Sequence, residues 1–328
     1  MAPRILFLAH GLGEVSCRFR IFQYVPGLRR LGFDPQVADL NVPLPARWRL
    51  LRAAAGFDAV CVHRAFLGPL DHWWLRRVGI RYVFDFDDAI MLNDSSHRRL
   101  ESRSRLRRFL RMVTGARAVI AGNNYLADWA APHTTRVTVI PTPIDLTPYP
   151  AEHAEDTGDP IVGWIGTRSN LGYLQLVLPA LARLSRTRPR LRVKIVADDF
   201  IDAPGVQVIK KPWAQADEVA DLASFHVGIM PLPDDAWTRG KCAVKILQYF
   251  AASVPVVCSP VGVNRDIVRD GDNGTFARTD DEWVARLEEL LADSDKRRRW
   301  GESGRATVTE RYSVDVTLPR LVQVLQSP

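Results

Sequence analysis

Cysteine is scarce in this sequence, and its few copies have no spacing that chemistry could use. Cys17, Cys61, Cys242 and Cys258 are the four in 328 residues. They are scattered too widely for a zinc site, a redox pair or a disulfide framework, which fits a reducing cytoplasm. Long apolar runs are missing too. Ile5 to Ala9 is too short for a signal peptide or a membrane span, and no later run reaches transmembrane length. There is no internal repeat and no low-complexity tail. The full dinucleotide-binding fingerprint is absent, since only Gly11 and Gly13 follow the first apolar stretch. Charge is only mildly unbalanced. A net +7 from 44 basic and 37 acidic residues admits nucleic acid, anionic lipid or phosphorylated small molecules as partners, and selects none of them.

What the chain does have is alternation. Strand signals at Arg4–Ala9, Asp34–Asp39, Ala59–His63, Arg81–Phe86, Arg117–Ala121 and Val137–Ile140 are interleaved with helical ones. The pattern starts again at Ile161–Ile165 and continues through Leu191–Ala197, Val206–Ile209, Val227–Met230 and Val254–Cys258. Such alternation predicts α/β architecture with parallel sheets and helices on both faces. The length suits two domains. PTPIDLTPYP and the polar run to Pro160 read as the linker, giving domains at 1–150 and 151–312 and a last helix at 313–328.

The segment from Thr238 to Gly262 carries the chemistry. It reads as a loop, a helix, a short buried strand and a glycine turn at Gly262. On one helix, Lys241, Lys245 and Gln248 would share a face, while Val244, Leu247 and Ala251 would form a stripe for packing on a sheet. Arg239, Lys241 and Lys245 then crowd the helix start, where the macrodipole is already positive. Either they form a solvated basic helix end, or an anion lies between them and the free backbone N–H groups. A phosphate is the obvious anion.

The same segment resembles the donor-binding segment of retaining glycosyltransferases of family four, which have the GT-B fold. Many members carry two glutamates flanking seven residues, just before a proline-containing apolar strand. Here Gly240 and Gln248 hold those places. What remains resembles a branch that reads G-K-x-x-x-K-x-x-Q-Y, matched by Gly240, Lys241, Lys245, Gln248 and Tyr249. The resemblance implies two Rossmann-like domains facing across a cleft, with a C-terminal helix returning to the first. It also implies transfer of a sugar from a nucleotide diphosphate sugar to a glycan, lipid-linked or small-molecule acceptor, with retention, in polysaccharide or glycoconjugate biosynthesis. No metal or other cofactor is expected, and no nucleic acid.

Site residues follow from the same resemblance. The turn after Ile161–Ile165 supplies an arginine to the donor pyrophosphate, matched by Arg168. The lysine that follows in the family is Gly172 here, so Lys241 or Lys245 would stand in for it. Gln248 would bond the ribose, and Asp266, in a short helix from Asn264, would lie near the donor sugar. From the residues themselves, Gly166 permits close backbone approach and Ser169 or Asn170 can cap the following helix. Trp213 either flanks a nucleobase or packs in the core. Gly13 belongs to the loop that opens the first domain.

Asp85, Asp87 and Asp88 stand at the carboxyl end of a predicted strand, where such folds bind ligands. An acceptor-side role is expected for this cluster, Asp87 and Asp88 above all, with a salt bridge from Arg18 or Arg20 as the structural alternative. Asp85-Phe-Asp87 also matches the D-x-D pattern of the metal-dependent GT-A fold. His97 to Val113 reads as a basic amphipathic helix, suited to an anionic membrane at its inner face or simply solvated. Two further alternatives are a GT-B sugar-nucleotide epimerase and a non-catalytic nucleic-acid-binding protein, although no motif with interleaved aromatics supports the latter.

Overall fold

A computed structural model of the chain describes residues 2–150 and 158–327 and divides it into two compact units. The first comprises the chain up to Asp145, the segment Asp235–Cys242, and everything from Tyr312 onward. Leu146–Asp234 and Ala243–Arg311 make the second. The polar part of the expected linker, at 151–157, lies outside the described residues.

In the first unit, β1 (Arg4–Ala9), β2 (Asp34–Asp39), β3 (Ala59–His63), β4 (Tyr82–Phe86), β5 (Ala118–Ala121) and β6 (Val137–Val139) form one sheet, ordered β2-β1-β3-β4-β5-β6. Every pairing is parallel. Its helices are α1 (Val15–Cys17), α2 (Val25–Arg30), α3 (Leu44–Ala53), α4 (Pro69–Arg77), α5 (Arg103–Gly115) and α6 (Asn124–Ala130). Both β3 and β4 are buried at every position, as inner strands covered on two faces must be. Alternate residues serve opposite layers. Leu6, Val62, Phe84 and Val119 pack with Leu51, Leu75, Phe109 and Met112 from α3, α4 and α5. Ile5, Phe7, Cys61 and Ile120 pack with Tyr24 and Leu28 on the other face.

The second unit repeats the design. Its strands β7 (Ile161–Ile165), β8 (Arg192–Ala197), β9 (Val208–Pro212), β10 (Val227–Met230), β11 (Val256–Cys258) and β12 (Gly274–Phe276) are ordered β12-β11-β10-β7-β8-β9. The pairings are again all parallel. With α7 (Leu178–Thr187), α8 (Glu218–Ala223), α9 (Val244–Ala251), α10 (Asn264–Ile267), α11 (Asp280–Ala292) and α12 (Ser294–Arg311), this is the strand order of a Rossmann fold. The last helix, α13 (Val314–Gln326), belongs to the first unit. Its Leu318 and Leu321 complete the layer against Tyr24 and Leu28.

Four elements differ from the sequence expectation. GDNGTF, expected as a turn, contains β12, which pairs with β11. The basic helix begins at Arg103, capped by Ser102, whose hydroxyl accepts from the Arg105 amide at 3.4 Å; His97 to Glu101 lie outside it. The single long helix expected after β7 is divided into a 3₁₀ stretch, Arg168–Leu176, and α7. Pro179 explains the division, because proline is tolerated in a first helical turn and not beyond it. Finally, Asp235–Cys242 packs with the first unit. Tyr125 Oη donates to Ala236 O at 2.9 Å, and Asn123 Nδ2 donates to the carbonyls of Gly240 at 3.1 Å and Lys241 at 3.2 Å.

A buried ion pair ties the first unit together. Arg20, His63 and Asp85 are 4%, 1% and 4% exposed. Arg20 binds both Asp85 oxygens and donates to Ile140 O at 2.7 Å, while His63 Nδ1 lies 2.6 Å from Asp85 Oδ2. Burial alone would raise the Asp85 pKa, but the Arg20 charge and the His63 contact outweigh it and hold the group at about 2. Of the two expected functions for Asp85, the structural salt bridge is the one observed, and Arg20 is its partner. Asp85→Asn would leave the guanidinium buried beside a neutral amide, so the variant should lose about 3–5 kcal/mol of unfolding free energy in denaturant titration. The native carboxylate has its pKa below the unfolded value. Its stabilisation is therefore complete above about pH 4 and should be lost as pH falls toward about 2, a dependence that Asp85→Asn should lack.

Candidate functional site

In the second unit, β7 and β10 are neighbours, while the chain continues from β7 toward β8 and from β10 toward β11. That is the topological switch point, and ligands bind at its carboxyl end. Tyr249 on α9 spans it. Its hydroxyl donates to Ile229 O at 3.1 Å on β10 and accepts from Ile165 N at 3.3 Å on β7. Gly228 makes this possible, since a Cβ there would come within 2.5 Å of the Tyr249 ring.

Lys245, one turn before Tyr249, places its ammonium 5.3 Å from the centre of the buried Trp164 ring. Gly166 follows β7 directly, and a Cβ at that position would meet Trp164 at 2.5 Å and Lys245 Cε at 2.8 Å. The glycine is thus required by the lysine that crosses it. Arg168 starts the 3₁₀ stretch. Its amide donates to Asp198 Oδ1 at 2.6 Å and its guanidinium pairs with Asp199 at 3.2 Å. The side chain is 79% exposed, so this pair adds little stability and leaves the cation open to a ligand. Asn170 does not cap the helix; its amide donates to Thr167 Oγ1 at 3.0 Å.

Trp213 follows β9, where its amide donates to Ala197 O at 3.0 Å and its indole N–H to Glu218 at 2.9 Å. The ring is 40% exposed, which suits a platform better than core packing. Gln248 is buried on α9. Gly262 takes φ +52°, the left-handed region in which glycine carries no Cβ penalty. Asn264, expected to bind donor, is 1% exposed and donates to Ser259 O at 2.9 Å, which makes it a brace for the loop after β11. Asp266 is exposed on α10.

Lys241 behaves differently from the sequence expectation. The backbone at Ala243 is left-handed, with φ 52°, and α9 begins only at Val244. Lys241 is therefore off the helix, and the shared face with Lys245 and Gln248 does not form. Its ammonium lies 5.3 Å from the Trp237 ring centre and 3.7 Å from Asp88, within the first unit. Gly240 explains the missing glutamate, because a Cβ there would meet Ala89 Cβ at 2.7 Å and Ala89 N at 3.0 Å.

In the first unit, Arg64 directly follows β3 with φ 49°, a conformation costing about 1–2 kcal/mol for a residue with a Cβ. Its amide donates to Asp85 O at 2.9 Å. Its guanidinium reaches Asp87 at 3.5 Å and Asp88 at 3.3 Å. Asp87 is 7% exposed, and its buried Oδ1 accepts no hydrogen bond among the described residues. Gly13 sits in open space on the loop after β1. That loop is held by Asp39, which accepts from the amides of Asn41, Gly11 and Leu12 and has its pKa lowered by those bonds.

Sequence reasoning missed Arg64, Trp164, Tyr249 as a brace, and the Asp198–Asp199 pair. Arg64 and the two aspartates each follow a predicted strand, the position that had drawn attention to Asp85. The D-x-D metal reading loses Asp85, which is sealed between Arg20 and His63. Among the described residues, no group of three or more His, Cys, Asp or Glu could hold a metal ion. No described helix is long and apolar enough to cross a membrane.

Comparison with known proteins agrees with the fold. Residues 238–307 match the family model for glycosyl transferases group 1. The D-inositol 3-phosphate glycosyltransferase of Segniliparus rotundus is 24% identical over 221 residues, which cover 60% of this chain and 48% of that protein. The match thus spans about half the length of this curated relative. Among solved structures, Anabaena HepE in complex with UDP and glucose superposes with a TM-score of 0.74 at 15% identity, covering 99% of both chains. Sucrose-phosphate synthase from Thermosynechococcus elongatus gives 0.74 at 14% identity, covering 98% of each. Two parallel six-stranded α/β sheets with these neighbours make the fold GT-B.

Proposed function

We propose that the chain is a retaining glycosyltransferase that moves a sugar from a nucleotide diphosphate sugar to a glycan, lipid-linked or small-molecule acceptor, in polysaccharide or glycoconjugate biosynthesis. One observation carries this reading. Tyr249 fixes α9 across the β7–β10 switch point and so delivers Lys245 to the Gly166 turn that leads into Arg168. Two cations at the carboxyl end of a Rossmann sheet suit a pyrophosphate. As the glycosidic bond to the donor breaks, they would stabilise the charge developing on the leaving phosphate. Trp213 would cover the nucleobase and Gln248 would bond the ribose. The UDP complex of HepE supports a nucleotide ligand and makes UDP-sugars the first donors to test. The 238–307 match to glycosyl transferases group 1 covers Lys241, Lys245, Gln248, Gly262 and Asp266.

The first unit would hold the acceptor. Asp87 offers a buried carboxylate oxygen that accepts no hydrogen bond among the described residues, with Arg64 at 3.5 Å, and a hydroxyl of the acceptor would supply one. Arg64 holds both Asp87 and Asp88 in place. Lys241 in this reading holds Asp88 and serves the donor less directly than Lys245. The four thiols are free and buried, which supports a reducing, cytoplasmic setting.

Incubation with a nucleotide sugar and acceptor should release nucleoside diphosphate and give a product with the donor's anomeric configuration. An isomerised sugar formed without acceptor would indicate an epimerase instead. Turnover should persist in chelator, because cations of the protein meet the phosphates. Complete loss restored by manganese would contradict that mechanism. Asp87→Asn should lower turnover by about a hundredfold through loss of acceptor positioning, with nucleotide affinity nearly unchanged. An equal fall in nucleotide binding would show that Asp87 belongs to the donor site.

A further inference from the structure

Helices α3, α4 and α5 lie on one face of the first sheet, with Leu51, Leu75, Phe109 and Met112 turned into a common core. Their outward surface is not an ordinary solvated one. Leu44 and Trp48, four residues apart on α3, are 52% and 47% exposed. Leu70 and Trp73, three apart on α4, are 65% and 60% exposed. Both spacings put the pair on one side of its helix. Four large apolar side chains on adjacent helices are costly to leave in water.

Cations surround them. The three helices carry three, two and five arginines, against one acidic residue, Asp71. Asp71 is 3% exposed and pairs with Arg47 at 3.4 Å, so it shows no charge outward. Between α4 and α5 is a cavity of about 540 Å³ lined by Trp73, Arg76, Arg77, Arg111 and His72. Burial, then the nearby Arg111 charge, depress the His72 pKa to about 4. The imidazole is therefore neutral at physiological pH, and the positive potential there comes from the arginines.

A bilayer interface matches this combination. Tryptophan favours the headgroup level, arginine pairs with lipid phosphates, and apolar side chains beside cations are what anionic membranes bind. Nucleic acid fits less well, because half of the exposed apolar side chains, Leu44 and Leu70, offer no ring for a base to stack on. We propose that the α3–α5 layer docks on an anionic bilayer, with Leu44, Trp48, Leu70 and Trp73 at headgroup depth and a lipid phosphate in the α4–α5 cavity. The basic segment around α5 expected from sequence is then one part of a wider surface whose anchoring residues lie on α3 and α4. This inference does not depend on the transferase reading, and vesicle binding tests it without donor or acceptor.

The full chain should float with vesicles of phosphatidylcholine and phosphatidylglycerol, and stay behind with phosphatidylcholine alone. Trp48→Ala with Trp73→Ala should weaken flotation by about tenfold or more. Arg76→Gln, Arg77→Gln and Arg111→Gln should each weaken it about fivefold. Brominated lipids should quench the native protein's tryptophan fluorescence, and quench the Trp48→Phe, Trp73→Phe double variant much less. Absence of flotation with the anionic vesicles would overturn the proposal. So would flotation unaffected by the aromatic changes, and so would single-stranded DNA binding as tight as vesicle binding, since each would reduce the surface to unspecific charge. All substituted side chains except Arg111 are well exposed, and matching thermal unfolding midpoints would confirm that folding is intact.

Discussion

The second unit depends on one side chain that touches two strands. Tyr249 is fully buried, and its hydroxyl joins Ile229 on β10 to Ile165 on β7. These strands meet where the chain reverses direction across the sheet, and a gap opens there between their following loops. A hydrogen bond on either side of the gap sets the height and rotation of α9. Lys245 is one turn earlier on the same helix, so its position over Trp164 follows from the same contact. Two glycines give way to this arrangement, Gly228 under the tyrosine ring and Gly166 under the lysine. The fold and the cation are thus set by a single constraint.

The first unit uses buried charge to the same end. Asp85 is paired with Arg20 and in contact with His63 beneath the carboxyl edge of the sheet. Its backbone carbonyl holds the Arg64 amide, and Arg64 in turn spans Asp87 and Asp88. The left-handed backbone of Arg64 is sustained by these contacts, since strain of that kind persists only where the surroundings over-determine it. Three aspartates in four residues therefore divide their work. One is structural, and the other two share an arginine at the carboxyl edge of the sheet, where we propose the acceptor binds.

Much of this was legible in the sequence. Inner strands of parallel sheets are almost wholly apolar, and β1, β3, β7 and β10 have the boundaries read from pattern alone, as does the edge strand β2. The glycosyltransferase resemblance correctly led to GT-B. What escaped was decided by contacts distant in the chain. Lys241 and Lys245 have helical spacing, but a left-handed Ala243 separates them, and Asn123 and Trp237 hold Lys241 with the first unit. β12 was hidden within turn residues, because a three-residue strand has too few positions to show a period. Asn264 read as a ligand-binding residue, yet its amide is spent on Ser259 O. Arg64 gave no signal beyond its place after a strand.

The central claim is that α9 carries a phosphate-binding lysine. Calorimetric titration with a nucleoside diphosphate and with its bare nucleoside, on the native chain, Lys245→Ala and Lys241→Ala, addresses it directly. Loss of one charge-assisted contact costs about 1.5–3 kcal/mol. Lys245→Ala should therefore weaken diphosphate binding by roughly ten- to over a hundredfold and leave nucleoside binding intact. Lys241→Ala, whose lysine is already engaged with Asp88, should have the smaller effect. Small and equal losses for both ligands in both variants would contradict the account and make the lysines a solvated surface.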